Sequence, residues 1–222
     1  MLKAAIVDVD GTLYDLRRVR RQMAGRLMRF AALHPFGGWK TIRALKAFRE
    51  AQERMRCLGT ALGQADKAAM MCDYPAEFVR ACAARWMERE PLPWVAEARY
   101  PGVAEFFEWA KRRELPVGVV SDYDPREKLR ALGLDAEVAV WAQQEEVGAF
   151  KPDPRGLIVA ARRLGVEPAE AVYIGDREEV DGAAARAAGM PILILGTGRD
   201  WRGIVAHLEA AIGREEKAIV SV

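Results

Sequence analysis

The sequence predicts an α/β fold in which a parallel sheet is covered by helices on both faces and a helical segment is inserted after the first strand. Three observations carry this reading. Short apolar runs recur at residues 4–7, 115–120, 138–141, 171–174 and 191–195, lengths that suit buried strands better than helices. Helical periods alternate with these runs from Pro101 onward, the pattern of parallel strands joined by crossovers. Between the first run and the second, residues 16–87 repeat their apolar positions at helical spacing throughout.

In chain order, Ala4-Ala5-Ile6-Val7 runs straight into Asp8-Val9-Asp10-Gly11-Thr12-Leu13, a strand that ends in two acids and a glycine. Leu16, Val19, Met23, Leu27 and Phe30 then form one apolar stripe, with Arg17, Arg18, Arg21, Arg26 and Arg29 on the other faces. His34-Pro35-Phe36-Gly37-Gly38 is expected to break that helix. A second stripe follows in Ile42, Leu45, Phe48, Ala51, Met55 and Leu58, and further helix is expected over 76–87 with Phe78, Val79, Cys82 and Trp86 inward. Pro91 and Pro93 mark the exit from the helical segment. Pro101-Gly102 opens a helix that packs Val103, Phe106, Phe107 and Ala110 on a sheet, and the strand at 115–120 ends at Ser121-Asp122. Helix Arg126–Leu132 and strand Val138–Trp141 lead to a loop containing Lys151-Pro152-Asp153-Pro154. Helix 155–164, a strand ending at Gly175-Asp176, helix 181–188, strand 191–195 and helix 201–212 complete the alternation. Residues 214–222 read as a frayed tail or an extra edge strand.

At 222 residues, 51% hydrophobic and 30% charged, the chain has the make-up of an ordinary globular protein, which excludes disorder and a disulfide scaffold. Cys57, Cys72 and Cys82 lack C-x-x-C spacing, so they signal no zinc site and suit reduced, mostly buried thiols in a cytoplasmic protein. No apolar run approaches the roughly 20 residues of a membrane helix, and Asp8 and Asp10 interrupt the N-terminal run before it could act as a signal peptide. The net charge of +2 hides an asymmetry: residues 16–92 hold 16 Lys and Arg against 7 Asp and Glu, and the remainder is net acidic.

In an extended strand residues i and i+2 share a side, so Asp8 and Asp10 are expected both to face the crevice at the strand end unless the chain already turns there. Two adjacent carboxylates repel, and a hard divalent cation such as Mg²⁺ is the simplest compensation. Thr12 offers its hydroxyl to the loop or to a bound anion. In a parallel sheet the C-terminal strand tips share one edge, so Asp8, Asp10, Ser121, Lys151 and Asp176, with Asp181 close behind, can converge there. Taken singly, Ser121 reads as a helix cap, Lys151 as a solvated cation, Asp176 as a turn acid and Asp181 as a helix-start acid. Those readings leave their ordered placement at successive strand ends unexplained.

That ordered set resembles the four motifs of the haloacid dehalogenase superfamily over nearly the whole chain: Asp8-Val9-Asp10-Gly11-Thr12, Ser121, Lys151, and Gly175-Asp176 with Asp181. The resemblance implies a Rossmannoid core from residues 1–15 and 93–222 and an α-helical, C1-type cap domain at 16–92. It implies that Asp8 is the nucleophile, forming an aspartyl-phosphate, and that Asp10 is the general acid and then the base. Ser121 and Lys151 would bind phosphoryl oxygens, with Thr12 beside them. Asp176, the Asp8 carboxylate and the Asp10 carbonyl would hold Mg²⁺, and Asp181 would support the metal shell.

The implied function is Mg²⁺-dependent hydrolysis of a small phosphorylated metabolite, with neither nucleic acid nor membrane as a partner. Phosphomutase-type phosphoryl transfer and a non-catalytic phosphate-sensing or partner-binding protein are the alternatives. Asp10 favours phosphate over halide chemistry, because a halide leaving group needs no proton. Two residues depart from the family pattern: Asp122 stands where Asn is frequent and Arg177 where Ser is frequent. They are expected to alter substrate contacts or local charge, not the reaction. One of Arg17, Arg18, Arg20 and Arg21 is expected to reach the substrate. Gly196-Thr197-Gly198 reads as a turn, and His34 and His207 as packing or surface residues.

Overall fold

The computed structural model describes residues 2–196 and 201–220, with side chains as far as residue 210. Strands β1 (Ala4–Asp8), β2 (Val117–Ser121), β3 (Val138–Trp141), β4 (Ala171–Gly175) and β5 (Ile192–Ile194) form one parallel sheet in the order β3-β2-β1-β4-β5. Helices α1 (Leu16–Leu33), α2 (Pro35–Cys57), α3 (Gln64–Cys72), α4 (Ala76–Ala83), α5 (Leu92–Glu97) and α6 (Val103–Arg112) lie between β1 and β2. Helices α7 (Arg126–Leu132), α8 (Arg155–Arg163), α9 (Ala183–Ala188) and α10 (Trp201–Val220) alternate with or follow the later strands.

Central strand β1 is buried at every position, and its side chains alternate between two cores as the pleat requires. Ala5 and Val7 join Phe106 of α6 and Trp201 of α10 on one face. Ala4 and Ile6 join Leu157 and Ala160 of α8 and Ala184 of α9 on the other. This two-sided cover is why β1 reads as an unbroken apolar run.

The helical segment packs around a cluster of its own: Ala44, Phe48 and Ala51 of α2, Ala68 and Cys72 of α3, Val79 and Cys82 of α4, and Trp86. Asp15 caps α1 by accepting from the Arg18 N–H at 3.0 Å. The expected break at 34–38 narrows to His34 alone. Pro35 starts α2, where proline needs no N–H partner. Gly38 lies inside α2 because a Cβ there would come 2.3 Å from the Ala31 Cα; it permits helix contact and makes no turn. Likewise Pro91 and Pro93 do not end helical structure but open α5. Helix α4 runs on into a π-helical turn, Ala84–Arg89. At the other end of the chain α10 continues to Val220, replacing the tail or strand expected there; residues 221 and 222 lie outside the described residues. Thr197 and Gly198 of the expected glycine-rich turn also lie outside them. Among the described residues no helix is long and apolar enough to cross a membrane.

The helical segment meets the sheet through α2. Phe48 stacks on Tyr123 with ring centroids 6.0 Å apart, and Gln52 and Arg56, one and two turns further on, donate to the Asp122 carboxylate at 3.0 and 2.8 Å. Arg56 also donates to the Lys151 carbonyl. The Arg56 and Asp122 side chains are 11% and 14% exposed, so each needs the other. We expect Arg56→Met to lower the unfolding free energy by about 1–3 kcal/mol, the penalty of a largely buried group left without its partner. Adding Asp122→Asn should recover at least half of that loss in urea denaturation.

Candidate active site

Sheet register sets the site. Asp8 is paired with Val120, so Ser121 lies one residue beyond it; Val7 is paired with Ile174, which brings Gly175 level with Asp8 and Asp176 one step further. Lys151 reaches the same edge from the loop after β3 and is buried there. Its ammonium donates to Asp8 Oδ1, to the Tyr173 hydroxyl at 2.9 Å and to Asp181 Oδ1 at 2.7 Å, using its three protons. Tyr173 donates in turn to Asp181 Oδ1 at 3.0 Å. Thr12 Oγ1 donates to Asp8 Oδ2 at 2.7 Å. Asp181 Oδ2 accepts from the N–H groups of Asp176 and Arg177 at 3.1 and 3.0 Å. The buried Ser121 Oγ accepts a long bond, 3.4 Å, from the Tyr123 N–H.

Two glycines make this density possible. Gly11 turns the chain at φ +97°, and a Cβ on it would lie 2.7 Å from Asp176 Oδ2. A Cβ on Gly175 would lie 2.5 Å from the Asp181 Cβ.

One carboxylate oxygen from each of Asp8, Asp176 and Asp181 lies within 4.8 Å of the other two. Burial, with the Asp181 charge, pushes Asp8 up to about 7 against the opposing pull of Lys151 and Thr12. Burial acts the same way on Asp181, but Lys151, the Arg177 N–H and Tyr173 outweigh it and hold that carboxyl low. Lys151 is lowered by burial and raised further by Asp181 and Asp8, so it stays charged. Three acids against one ammonium leave an excess of negative charge carried by hard oxygen donors. These residues fit Mg²⁺, whose charge would reverse the upward push on Asp8.

Asp10 does not stand beside Asp8. Strand β1 ends at Asp8, and the turn at residues 11–13 brings Tyr14 back to form an isolated bridge with Asp10. Its Oδ1 accepts from the Tyr14 hydroxyl, and Lys128 of α7 donates to Oδ1 at 2.6 Å and Oδ2 at 2.8 Å. Burial would raise the Asp10 pKa, but the Lys128 charge and these bonds outweigh it and hold it below the ordinary carboxylate value. The Asp10 carboxylate is thus occupied by Lys128 and Tyr14.

Sequence reasoning missed Lys128, Tyr14 and Tyr173, and the use of Gln52 and Arg56. Lys128 carried a faint signal, since it shares the inner face of α7 with Leu129 and Leu132. Among the four N-terminal arginines, Arg18 turns to Glu97. Arg20 is the one whose charge is felt at Tyr14 and also at Arg49 of α2.

A family model for haloacid dehalogenase-like hydrolases matches residues 2–189. The chain is 28% identical over 216 residues to a glyceraldehyde 3-phosphate phosphatase of Methanopyrus kandleri, covering 90% of this chain and 86% of that one. It is 30% identical over 217 residues to a phosphoserine phosphatase of Thermus thermophilus, covering 85% and 86%. A solved 2-haloacid dehalogenase from Pseudomonas syringae is similar in fold, with a TM-score of 0.60 at 23% identity over 87% of this chain and 86% of that one.

Gly175→Ala should show how tightly the strand end is packed. Neither Asp181 nor the backbone of β4 can yield without breaking the Asp181 bonds, so we expect a loss of about 1–3 kcal/mol in thermal or urea unfolding.

Proposed function

The chain belongs to the haloacid dehalogenase-like hydrolase family, and on that premise we propose that it hydrolyses a small phosphate monoester, with Asp8 as nucleophile, Asp10 as acid and base, and Mg²⁺ as cofactor. The observation that carries the reading is the cluster of buried Asp8, Lys151 and Asp181 with half-buried Asp176 at one sheet edge. Asp8 attacks phosphorus, the bond to the leaving oxygen breaks, and Asp10, ionised before substrate arrives and protonated from solvent as the anionic ester binds beside it, supplies the proton that oxygen takes up. Water then attacks the aspartyl-phosphate, Asp10 accepts its proton, and the Asp8–phosphorus bond breaks to release phosphate. Lys151 and Ser121 bind phosphoryl oxygens, while Thr12 orients Asp8. Asp8, Asp176 and the Asp10 carbonyl would hold Mg²⁺, which supplies charge neutralisation at the phosphoryl group. Asp181 supports the site, because its two oxygens are already committed to Lys151, Tyr173 and two N–H groups.

Residues 16–92 act in this reading as a cap over a core of 1–15 and 93–222. The two connections lie side by side, with the Asp15 N–H donating to Ala98 O at 2.9 Å and the Tyr100 N–H to Leu13 O at 3.1 Å. Arg20 of α1 and Arg49 of α2 are exposed, the Arg20 charge is felt both at Tyr14 and at Arg49, and among the described residues neither is ion-paired. Partial desolvation and the Arg20 charge lower the Arg49 guanidinium, so the two cations repel and would gain from an anion between them. They suit a substrate with a second anionic group.

Phosphate release from a panel of phosphorylated metabolites, without an added acceptor, is expected to require Mg²⁺ and to vanish in Asp8→Asn; transfer to an acceptor in place of free phosphate would mark a mutase instead. Arg20→Ala and Arg49→Ala should each lower kcat/KM about 10-fold or more on esters bearing a second anion, the loss of one charge-assisted contact. Esters with a neutral leaving group should be affected little.

A further inference from the structure

Lys128 is the one buried lysine outside the Asp8 cluster among the described residues. A lysine on a short helix rich in charge, Arg126-Glu127-Lys128-Leu129-Arg130, ordinarily extends into water. Here Arg126 and Arg130 do so, at 59% and 73% side-chain exposure, whereas Lys128 turns inward and is 8% exposed. Its ammonium spans both oxygens of Asp10, 118 positions away in the chain. Tyr14, which is buried and bridged to Arg99, donates to Oδ1 as well.

A carboxylate has about four acceptor sites. Two on Oδ1 are taken by Tyr14 and Lys128, and one on Oδ2 by Lys128. One site on Oδ2 is left, and the Asp10 side chain keeps 26% exposure while Lys128 is closed off. We propose that Lys128 is a positioning residue for Asp10: together with Tyr14 it fixes the carboxyl group so that its one remaining Oδ2 site carries the proton toward the leaving-group oxygen and, once that proton is given up, accepts one from the attacking water. The inference rests on the phosphatase reading above. Lys128 touches neither the phosphoryl group nor Asp8; it acts through Asp10, from a helix that packs on α5 where the helical segment returns to the sheet.

A residue that positions the acid matters in proportion to how much the leaving oxygen needs a proton. The test therefore compares two esters, glycerol phosphate with a poor leaving group and 4-nitrophenyl phosphate with a good one, in wild type, Lys128→Met and Lys128→Arg. We expect Lys128→Met to lower kcat on glycerol phosphate about 100-fold with KM changed less than about 3-fold, to lower kcat on 4-nitrophenyl phosphate less than about 5-fold, and Lys128→Arg to restore part of the difference. A crystal structure of Lys128→Met should show the Asp10 carboxylate displaced, a readout that needs no turnover. Equal losses on both esters, a change in KM alone, or an Asp10 carboxylate that stays in place would overturn the positioning role while leaving the phosphatase reading intact. Wild type inactive on both esters and on the metabolite panel would overturn that reading itself.

Discussion

Lys151 carries its ammonium to a place nearly closed to water, and much of the site's geometry answers what that charge requires. An ion removed from water loses several kcal/mol of hydration unless other groups replace it. Asp8, Asp181 and the Tyr173 hydroxyl do so, one for each ammonium proton. Because Asp181 holds Lys151 with one oxygen and the N–H groups of Asp176 and Arg177 with the other, the same charge fixes the loop after β4. The end of β1, the loop after β3 and the start of the segment after β4 are thereby tied at one point. Crowding three acids there is tolerable because the ammonium offsets part of their repulsion, and the remaining excess is what suits the site to a divalent cation.

The two acids of the first loop stand in different surroundings for a backbone reason. The strand stops at Asp8, the turn at Gly11 brings Tyr14 back onto Asp10, and Lys128 of α7 meets the same carboxylate. Asp8 is then pushed up by burial and, to a lesser extent, by Asp181, whereas Asp10 lies against a lysine and is held low. One short motif yields two carboxylates with separate partners, the condition for giving them separate tasks.

The departures at 122 and 177 differ in kind. An acid at 122 gives Arg56 and Gln52 a common acceptor, so it works as the attachment of α2 to the strand edge. Asn could accept there but could not balance a guanidinium. At 177 the contact made to Asp181 is a backbone N–H, available from any residue but proline, and nothing in the structure explains the arginine side chain.

The strands, their parallel arrangement and the residues at their ends were legible in the sequence, because a strand covered on both faces must be apolar throughout and its polar terminus then stands out. Asp8, Ser121, Lys151 and Asp176 were found that way, each at or beyond a buried run. Periodicity reports which face of a helix is buried, but not what that face meets. Only the tertiary structure therefore decided that Lys128 turns inward to Asp10, that Tyr173 on the inner run of β4 bonds Lys151, and that Gly38 serves a helix contact with Ala31. Each of these depends on a neighbour that the local pattern does not specify, and a charged or small residue looks the same in sequence whether water or a distant side chain satisfies it.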